Sequence, residues 1–396
     1  MLSLSVVEAA KCPEKCTCIE SDVTCVGANY SEVVNFIRHD HFDKLIIRDT
    51  ALPYLEPLPL TSVFYLEFSN CQMTTIATDA FKRVISLKQI NLDYNLLTVV
   101  QEFENLEMLQ SFSAKANLIS QVSSSFFNNL DTVTKVDFAY NLLDETDFLE
   151  PLNQTLVTLD LSHNLFQQIE ISNFSQLVHL NLTHNVLRQE NSVQLVNLSS
   201  LVTLNLAENG ISTLNVLNLT SYDTLKTLDL ENNHLFSPLD VSNFSSLTNL
   251  QLKNNRLTQL KNNRLTELPL IPPSLKKLDL SNNNIVNGSE LEFVASNLTD
   301  IKFTGNGMTS LNKNAFANLN KINLIDLTEN NLTSFDVRFS DAVMDPGFVA
   351  LSNMHLQLDR SVIANGGRIN DEYYSGKAFF AMFMCPHMNI AFSPSI

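Results

Sequence analysis

The chain repeats one arrangement of apolar and polar positions about every 23 residues. A clear copy runs from Leu156 to Phe166, with apolar residues at positions one, four and six and asparagine at position nine. Cys71 and Thr50 take the asparagine position in the two earliest copies, and the pattern predicts about thirteen repeats. The residues at position nine, here called the ladder asparagines, are Asn95, Asn117, Asn141, Asn164, Asn185, Asn209, Asn233, Asn255, Asn283, Asn306 and Asn330.

The spacing within each repeat predicts a short strand whose leucines all point to one side. Such a strand cannot bury its apolar face alone, so neighbouring repeats stack and share one continuous core. The recurrent asparagine supplies a side chain that can satisfy backbone groups where the chain leaves the strand. We therefore interpret the ladder asparagines as structural, and the chain as an α/β repeat solenoid with a parallel sheet.

Four cysteines precede the first repeat, at positions 12, 16, 18 and 25. Together with the repeats, this segment resembles the extracellular leucine-rich repeat proteins, a family that includes Toll-like receptor ectodomains, Slit, small matrix proteoglycans and secreted insect immune proteins. The resemblance extends from Cys12 to about Phe335. It implies a curved horseshoe with a concave parallel sheet and a convex side that is mostly irregular or built of short helices.

In that family the cysteine cap closes with the first cysteine bonded to the third and the second bonded to the fourth. The resemblance therefore implies disulfides between Cys12 and Cys18 and between Cys16 and Cys25. Spacing alone leaves three pairings open. Metal binding is the alternative, but the motif lacks a second cysteine pair or accompanying histidines.

The same reading divides the chain into four segments. Residues 1–11 are expected to be a short leader or the remnant of one, residues 12–36 the cap, and residues 37–335 the repeats. Residues 336–396 form an atypical segment, with one degenerate strand near Leu356 followed by a tail. Cys71 is expected to be a buried thiol. Cys385, in the tail, is expected to form an intermolecular disulfide, or otherwise to be free or bonded to Cys71.

A second periodic signal is carried by phenylalanines that mostly precede the first leucine of the next repeat by about six residues. They predict an apolar spine behind the strands, which accounts for much of a phenylalanine count of 25 beside no tryptophan. The residues are Phe81, Phe103, Phe127, Phe148, Phe174, Phe244, Phe293 and Phe316.

Asparagine glycosylation signals, Asn followed by a non-proline residue and then Ser or Thr, indicate a secreted, extracellular glycoprotein. Most of them lie in the loops that lead into a strand, which suits glycans on the solvent side. Asn181 differs because it lies between two strand leucines and is expected to point out of the sheet. The signals begin at Asn29, Asn153, Asn173, Asn181, Asn197, Asn218, Asn243, Asn287, Asn297 and Asn331.

Composition excludes several classes of function. The chain carries 25 basic and 42 acidic residues, a net charge of −17, so phosphate backbones and anionic membranes would be repelled. We find no apolar run of about 20 residues that could span a bilayer. No glycine-rich phosphate loop, metalloprotease motif or nucleophile elbow is present, so we predict no enzyme activity, no cofactor and no metal.

Candidate binding residues come from strand positions that face outward. The position before the ladder asparagine carries aromatic and imidazole side chains in consecutive repeats, and adjacent strands lie about 4.8 Å apart, so His163 and His184 are expected to be neighbours. A protein partner anchored on tyrosines is favoured over bridging zinc, and histidine protonation near pH 6 could tune binding. The recurring strand aspartates are otherwise read as solvated residues. The candidate residues are Tyr94, Tyr140, His163, His184, Asp137, Asp160 and Glu208.

These observations predict a secreted, non-enzymatic protein that binds a protein or glycan partner through its concave face. Innate immune recognition is the expected role. Two alternatives remain open, namely cell adhesion or a matrix and developmental role, and inhibition of a foreign enzyme. A disulfide-linked dimer or complex through Cys385 is a further expectation.

Overall fold

The computed structural model describes residues 11–38, 40–214, 217–219, 223–236, 240–257, 271–289, 291–293, 297–332, 337–338, 355–359 and 389–393. The chain divides into two compact units, Met1–Asn185 and Val186–Ile396. Each unit consists of successive turns that contribute one short strand to a parallel sheet. The predicted parallel repeat solenoid is confirmed.

The first unit contains one α-helix, α1 (Tyr30–Phe36), and one 3₁₀ helix (Asp147–Leu152). Its strands are β1 (Cys16–Ile19), β2 (Asp22–Val26), β3 (His41–Arg48), β4 (Tyr54–Leu55), β5 (Thr61–Ser69), β6 (Thr75–Ile76), β7 (Val84–Ile85), β8 (Gln89–Asn91), β9 (Val99–Val100), β10 (Ser111–Ser113), β11 (Gln121–Val122), β12 (Lys135–Asp137), β13 (Thr158–Asp160), β14 (Ile169–Ser172) and β15 (His179–Asn181).

The second unit contains only strands among its described residues. They are β16 (Val193–Val196), β17 (Thr203–Asn205), β18 (Leu217–Leu219), β19 (Thr227–Asp229), β20 (Asn249–Gln251), β21 (Lys277–Asp279), β22 (Asn287–Gly288), β23 (Asp300–Lys302), β24 (Ser310–Leu311), β25 (Leu324–Asp326), β26 (His355–Asp359) and β27 (Asn389–Ser393).

The main sheet of the first unit runs β2, β3, β5, β8, β10, β12, β13, β15, with every neighbouring pair parallel. In the second unit the parallel order is β17, β19, β20, β21, β23, β25, β26, β27. The central apolar residue of each short strand pairs with its equivalent in the next repeat, as Phe112 does with Ile90 and Val136. These central residues are buried, which places the core directly behind the sheet.

Behind the main sheets, where a mostly irregular or short helical side was expected, the irregular segments contain short parallel strand pairs. They are β4 with β6, β9 with β11, β16 with β18 and β22 with β24. Segments such as Val193–Val196 alternate buried and half-buried side chains, a period of two that suits a strand better than a helix.

The ladder asparagines hold consecutive turns together. Asn141 is typical: its Oδ1 accepts a hydrogen bond from the amide of Ile119 in the preceding repeat, at 2.9 Å. Its Nδ2 donates to the carbonyl oxygen of Ala114 in that repeat, at 2.9 Å, and to the carbonyl oxygen of Phe138 in its own turn, at 3.1 Å. All eleven ladder asparagines are buried, so these bonds satisfy backbone groups that water cannot reach.

The two residues that replace asparagine reproduce only part of this network. The buried thiol of Cys71 donates to the carbonyl oxygens of Ile47 and Ser69, at 3.4 and 3.3 Å. The hydroxyl of Thr50 donates to the carbonyl oxygen of Arg48, at 3.0 Å. Cys71 is thus the buried thiol that the sequence predicted, and burial raises its pKa above the ordinary value.

The predicted phenylalanine spine is present in the first unit. Rings of Phe81 and Phe103 meet edge to face with centroids 5.2 Å apart, and Phe126 continues the series at 5.7 Å from Phe103. Phe127 and Phe148 follow, with centroids 6.3 Å apart. Phe126 was not part of the predicted spine. In the second unit Phe293 and Phe316 stack at 6.1 Å.

The N-terminal cap is a two-stranded antiparallel hairpin, β1 with β2, followed by α1. Disulfides join Cys12 to Cys18 and Cys16 to Cys25, which is the pairing that the family resemblance implied. Because β2 also pairs in parallel with β3, the cap covers the open edge of the first repeat.

At the other end, β26 coincides with the predicted degenerate strand and pairs in parallel with β25. A further strand, β27, pairs with β26 and was not predicted. The leader prediction for residues 1–10 and the linker role of Cys385 lie outside the described residues.

We predict that Asn141→Ala lowers the free energy of unfolding by about 2–4 kcal/mol, because it leaves several buried backbone groups without partners at about 1–3 kcal/mol each. The midpoint of chemical denaturation, followed by circular dichroism, measures the loss. Asn128→Ala, at an exposed loop position, is the control and should leave the midpoint in place. An equal effect of the two changes would contradict the structural role of the ladder.

Candidate functional site

The residue before each ladder asparagine adopts a left-handed backbone conformation. The φ angles are +57° at Tyr94, +58° at Tyr140, +54° at His163 and +56° at His184. Gly305 takes the equivalent position with a φ of +70°, and Asn232, Asn254 and Asn282 take it in other repeats. Glycine tolerates this conformation best, and asparagine, aspartate and histidine are enriched there, whereas most other side chains, including tyrosine, are disfavoured. Tyrosine is therefore not a residue that the turn itself selects.

The sheet face of the first unit, meaning the solvent-facing side of the main-sheet strands β8, β10, β12, β13 and β15 and the turns that end them, carries a stack of aromatic rings. Tyr140 and His163 lie with ring centroids 3.8 Å apart and planes 11° from parallel. His163 and His184 follow at 4.4 Å and 28°. The three residues hold the same position in consecutive repeats, so the strand spacing brings the rings face to face.

The backbone holds these residues rigidly. The amide of Tyr140 donates to the carbonyl oxygen of Ser162 at 2.9 Å, and that of His163 donates to Thr183 at 2.8 Å. The hydrogen-bonding ladder of the sheet therefore continues into the turn. On the other side of Tyr140, the ammonium group of Lys115 lies 5.5 Å from the ring centroid, within the range of a cation–π contact.

Tyr94 lies on the same face but is not part of the ring stack. Ala116 takes the equivalent position in the repeat between Tyr94 and Tyr140. Both tyrosines are well exposed, at 58% for Tyr94 and 48% for Tyr140. The small side chain of Ala116 thus separates an isolated tyrosine from the three stacked rings.

The strand aspartates were read as solvated residues, and the structure corrects this. The Oδ1 atom of Asp137 accepts a hydrogen bond from the amide of Ala139 at 3.0 Å, and that of Asp160 accepts from Ser162 at 2.9 Å. Each side chain therefore closes a turn two residues further along the chain, a structural role that Asn181 performs for Thr183 at 3.1 Å.

Asn181 lies on the outward side of β15, as expected, because the neighbouring Leu180 is the buried residue of this strand. Its amide is half-buried on that face, and Nδ2 donates to Oδ2 of Asp160 at 2.9 Å. Both oxygens of the Asp160 carboxylate are thus engaged within the sheet face. Among the candidate residues, the two aspartates serve to support this face, and the exposed rings stand beside them.

The carboxylates also influence one another. Burial raises the pKa of Asp137 above the usual value of 3.8, the bond from Ala139 opposes the shift, and the neighbouring carboxylates of Asp160 and Asp93 add to it. Burial likewise raises the pKa of Asp93, against hydrogen bonds from the Ser113 hydroxyl and the Lys115 amide. The sheet face thus holds its negative charge at an energetic cost.

A charged cluster near the cap was missed by sequence reasoning. Glu67 is only 2% exposed and accepts hydrogen bonds from Arg48, Ser69 and Tyr65. Burial raises the pKa of Glu67, but these three donors outweigh it and bring the value below 4.5. Burial and the Glu67 carboxylate raise the pKa of Tyr65 to about 12. Because the buried Glu67 carboxylate is engaged by Arg48, Ser69 and Tyr65 within the cluster, we assign it a structural role.

The seven candidate residues therefore do not form one cluster. Tyr140, His163 and His184 form the stack, and Tyr94 is exposed on the same unit. Glu208 holds the equivalent position in the second unit, with a φ of +57°.

Across the described part of the chain, no cluster of three or more histidine, cysteine or acidic side chains is arranged to hold a metal ion. Nor does any helix in that part have the length and apolar character to cross a membrane.

We predict that Asp137→Asn stabilises the protein at neutral pH. Asparagine keeps the oxygen that closes the turn, as Asn181 shows, and removes a charge that burial disfavours. Because the folded state raises the pKa of Asp137, the wild-type protein loses stability as the pH rises through and above 3.8, and the variant does not.

Denaturation midpoints at pH 3 and pH 7 test this expectation. The advantage of the variant should be present at pH 7 and should shrink at pH 3, where the wild-type carboxyl is protonated. Asp131→Asn, at an exposed position, is the control. A variant that is less stable than the wild type at pH 7 would show that the charge itself supports the turn.

Comparison with known proteins supports the repeat assignment. The family model for the Leucine Rich Repeat matches residues 155–177, 224–247 and 274–296. Leucine-rich repeat-containing protein 3B of Bos taurus is 31% identical over 142 residues, which cover 34% of this chain and 46% of that protein. The chain therefore matches less than half the length of this relative.

Solved structures share the fold. The leucine-rich repeat domain of APL1 is 18% identical, with a TM-score of 0.53 over 88% of this chain and 92% of that domain. A chain of the LRIM1/APL1C complex is 16% identical, with a TM-score of 0.50 over 81% of this chain and 58% of that one. The matching family model shows that this chain contains leucine-rich repeats, and the asparagine ladder, the disulfide-bonded cysteines before the first repeat and the solved structures agree with the fold of leucine-rich repeat proteins.

Proposed function

We propose that this chain is a secreted, non-catalytic recognition protein that binds a protein partner through the sheet face of its first unit. The observation that carries the proposal is the stack of Tyr140, His163 and His184, in which the two outer rings are exposed and the central His163 is half-buried between them. Rigid aromatic side chains are the residues that most often anchor a protein interface.

The backbone at these positions strengthens the argument. A left-handed conformation favours glycine or asparagine, and the second unit has asparagine at three of these turns. The first unit instead places tyrosine at Tyr94 and Tyr140, at a cost in local stability, whereas histidine at His163 and His184 is tolerated by this conformation. Because the turn forms equally well with asparagine, the tyrosine rings are best explained by a contact that they make with another molecule.

The cap and the glycosylation signals support an extracellular location. Two disulfides close within the first 25 residues, and such bonds persist in oxidising compartments. Asn173, Asn197 and Asn243 are exposed after the back strands or in the loops that lead into the next strand. Asn153 and Asn173 line one shallow cavity of about 650 Å³. Glycans at these positions would cover the back of the repeats and leave the sheet face accessible.

The hydrogen bonds of the carboxylates on the sheet face also support a binding role for this surface. Asp137 and Asp160 are held in turn-closing hydrogen bonds, an arrangement that supports a rigid surface better than acid–base chemistry. The similar fold in the LRIM1/APL1C complex occurs in an assembly with another protein. The sequence resemblance favours a role in innate immune recognition. Cell adhesion and inhibition of a foreign enzyme are the alternatives, and the identity of the partner would distinguish among the three.

We predict that a double change, Tyr140→Glu with His184→Glu, reduces partner binding at least about tenfold, because it removes the outer rings and adds charge at the centre of the surface. Glutamate is compatible with this backbone, since Glu208 and Glu329 adopt it in other repeats. A photo-crosslinking amino acid at Ala116, between the two tyrosine positions, identifies the partner by mass spectrometry of the linked product from extracellular fluid.

Tyr54→Glu is the matched control. Tyr54 is 48% exposed, as Tyr140 is, but it lies in the back strand β4. The control variant should give the same crosslinked product as the parent protein. If the double variant also gives an undiminished product, the aromatic stack is not the binding surface.

A further inference from the structure

A row of exposed leucines follows the ladder asparagines of four consecutive repeats in the first unit. Leu96, Leu118, Leu142 and Leu165 are each the residue directly after a ladder asparagine, and they are 45%, 46%, 42% and 48% exposed. We call them the leucine row. No buried contact of the repeat explains them, because the core leucine of this turn is the residue that follows, as Leu97 and Leu143 show.

The repeat frame does not require leucine at this position. In the second unit the residues that follow ladder asparagines include Gly210, His234, Arg256, Asn284 and Gly307. These polar or small residues occupy the same place in the turn. After the next ladder asparagine, Asn185, the equivalent residue is Val186, which is half-buried. The well-exposed leucines therefore belong to four neighbouring repeats, where exposed apolar side chains gather into one patch and mark a contact surface.

The backbone presents the leucine row at a fixed spacing. The amides of Leu96, Leu142 and Leu165 donate to carbonyl oxygens of the preceding repeat at 2.7, 2.8 and 2.9 Å. Neighbouring members lie one strand apart, about 4.8 Å, so the row spans about 14 Å. This distance corresponds to about ten residues of an α-helix, whose turns repeat every 5.4 Å.

The surroundings of the leucine row are acidic. Residues 89–185 contain twelve acidic side chains but only two lysines, Lys115 and Lys135. Asp144 and Glu145 are exposed within three residues of Leu142, and Glu170, in the back strand β14, is exposed five residues after Leu165. A partner that covers the leucines must therefore approach a surface of negative potential.

We infer that the leucine row, flanked by these carboxylates, docks a cationic amphipathic helix of a partner protein. The apolar side chains of the helix, at intervals of three and four residues, meet successive leucines because the helical pitch is close to the strand spacing. Its lysine and arginine residues meet the flanking carboxylates. An extended peptide fits less well, because its side chains on one face repeat at nearly 7 Å.

Charge complementarity distinguishes this occupant from others. A second copy of the chain would place one acidic surface against another, since the net charge is −17. An anionic lipid surface would be repelled for the same reason. A cationic helix gains both from apolar burial and from the reversal of charge.

This inference goes beyond the proposed function, because it assigns a second surface next to the aromatic stack and specifies the chemistry of the partner. The test uses a synthetic amphipathic peptide of about 14 residues, built from leucine and lysine at helical spacing. Its binding to the whole chain is measured by fluorescence anisotropy. A peptide of the same composition in scrambled order, and a leucine–glutamate peptide of the same pattern, are the comparison ligands.

Two protein variants complete the design. In the first, all four members of the leucine row are changed to Gln, and a milder variant carries only Leu118→Gln with Leu142→Gln. In the control, exposed apolar residues of the same unit outside the row are changed, namely Ile85→Gln, Val99→Gln and Met108→Gln. Thermal unfolding confirms that each variant retains the fold.

We expect the parent protein to bind the leucine–lysine peptide at least about tenfold more tightly than either comparison ligand. The four-residue variant should bind all three peptides about equally, whereas the control variant should keep the preference of the parent protein. Equal binding of the scrambled peptide would reduce the interaction to charge alone and overturn the proposal. A wild-type dimer in solution that the four-residue variant abolishes would assign the row to a second copy instead.

The Tyr140→Glu, His184→Glu variant separates the two proposals. If it still binds the peptide but no longer crosslinks to its natural partner, the aromatic stack and the leucine row are distinct contacts. If the peptide fails to bind the parent protein while crosslinking at Ala116 succeeds, the inference about the leucine row falls and the proposed function stands.

Discussion

The hydrogen bonds of the ladder asparagines fix the positions of the outward-facing residues on either side of each asparagine. Each asparagine is buried and joins its own turn to the preceding one through both atoms of its amide group. The residue before it is held in a left-handed conformation, and the residue after it continues the hydrogen-bonding ladder. The aromatic stack and the leucine row are the residues on either side of this one anchor.

This arrangement separates the positions that build the fold from those that are free to vary. Strand leucines, ladder asparagines and the aspartates that close turns are all engaged inside the repeat. The positions flanking the asparagine carry different side chains in the two units, and the residue before the asparagine keeps its left-handed conformation throughout. Sequence differences at those positions therefore carry information about partners, whereas the repeated positions carry information about the fold.

Much of the fold could be predicted because the repeat period fixes the register. Once neighbouring strands are aligned, His163 and His184 must be adjacent, and the stack follows. Three features were not predictable in this way. The left-handed turn depends on backbone angles that residue type alone does not reveal, since tyrosine disfavours them. The role of Asp137 depends on an amide two residues away. The leucine row was missed because Asn95-Leu96-Leu97 on its own does not indicate which leucine is buried; only alignment with repeats such as Asn233-His234-Leu235 does so.

The restriction of both surfaces to the first unit has a physical consequence for binding. Rings in a rigid stack and leucines at a fixed spacing lose little conformational entropy on association, because the backbone already holds them. The surrounding carboxylates attract a basic partner at long range, but water and salt weaken that attraction at the surface. Apolar and aromatic contacts must then supply most of the affinity, and charge must supply the selection among partners. A surface with only one of these features would bind weakly or without discrimination, so their occurrence on the same unit favours a specific protein ligand.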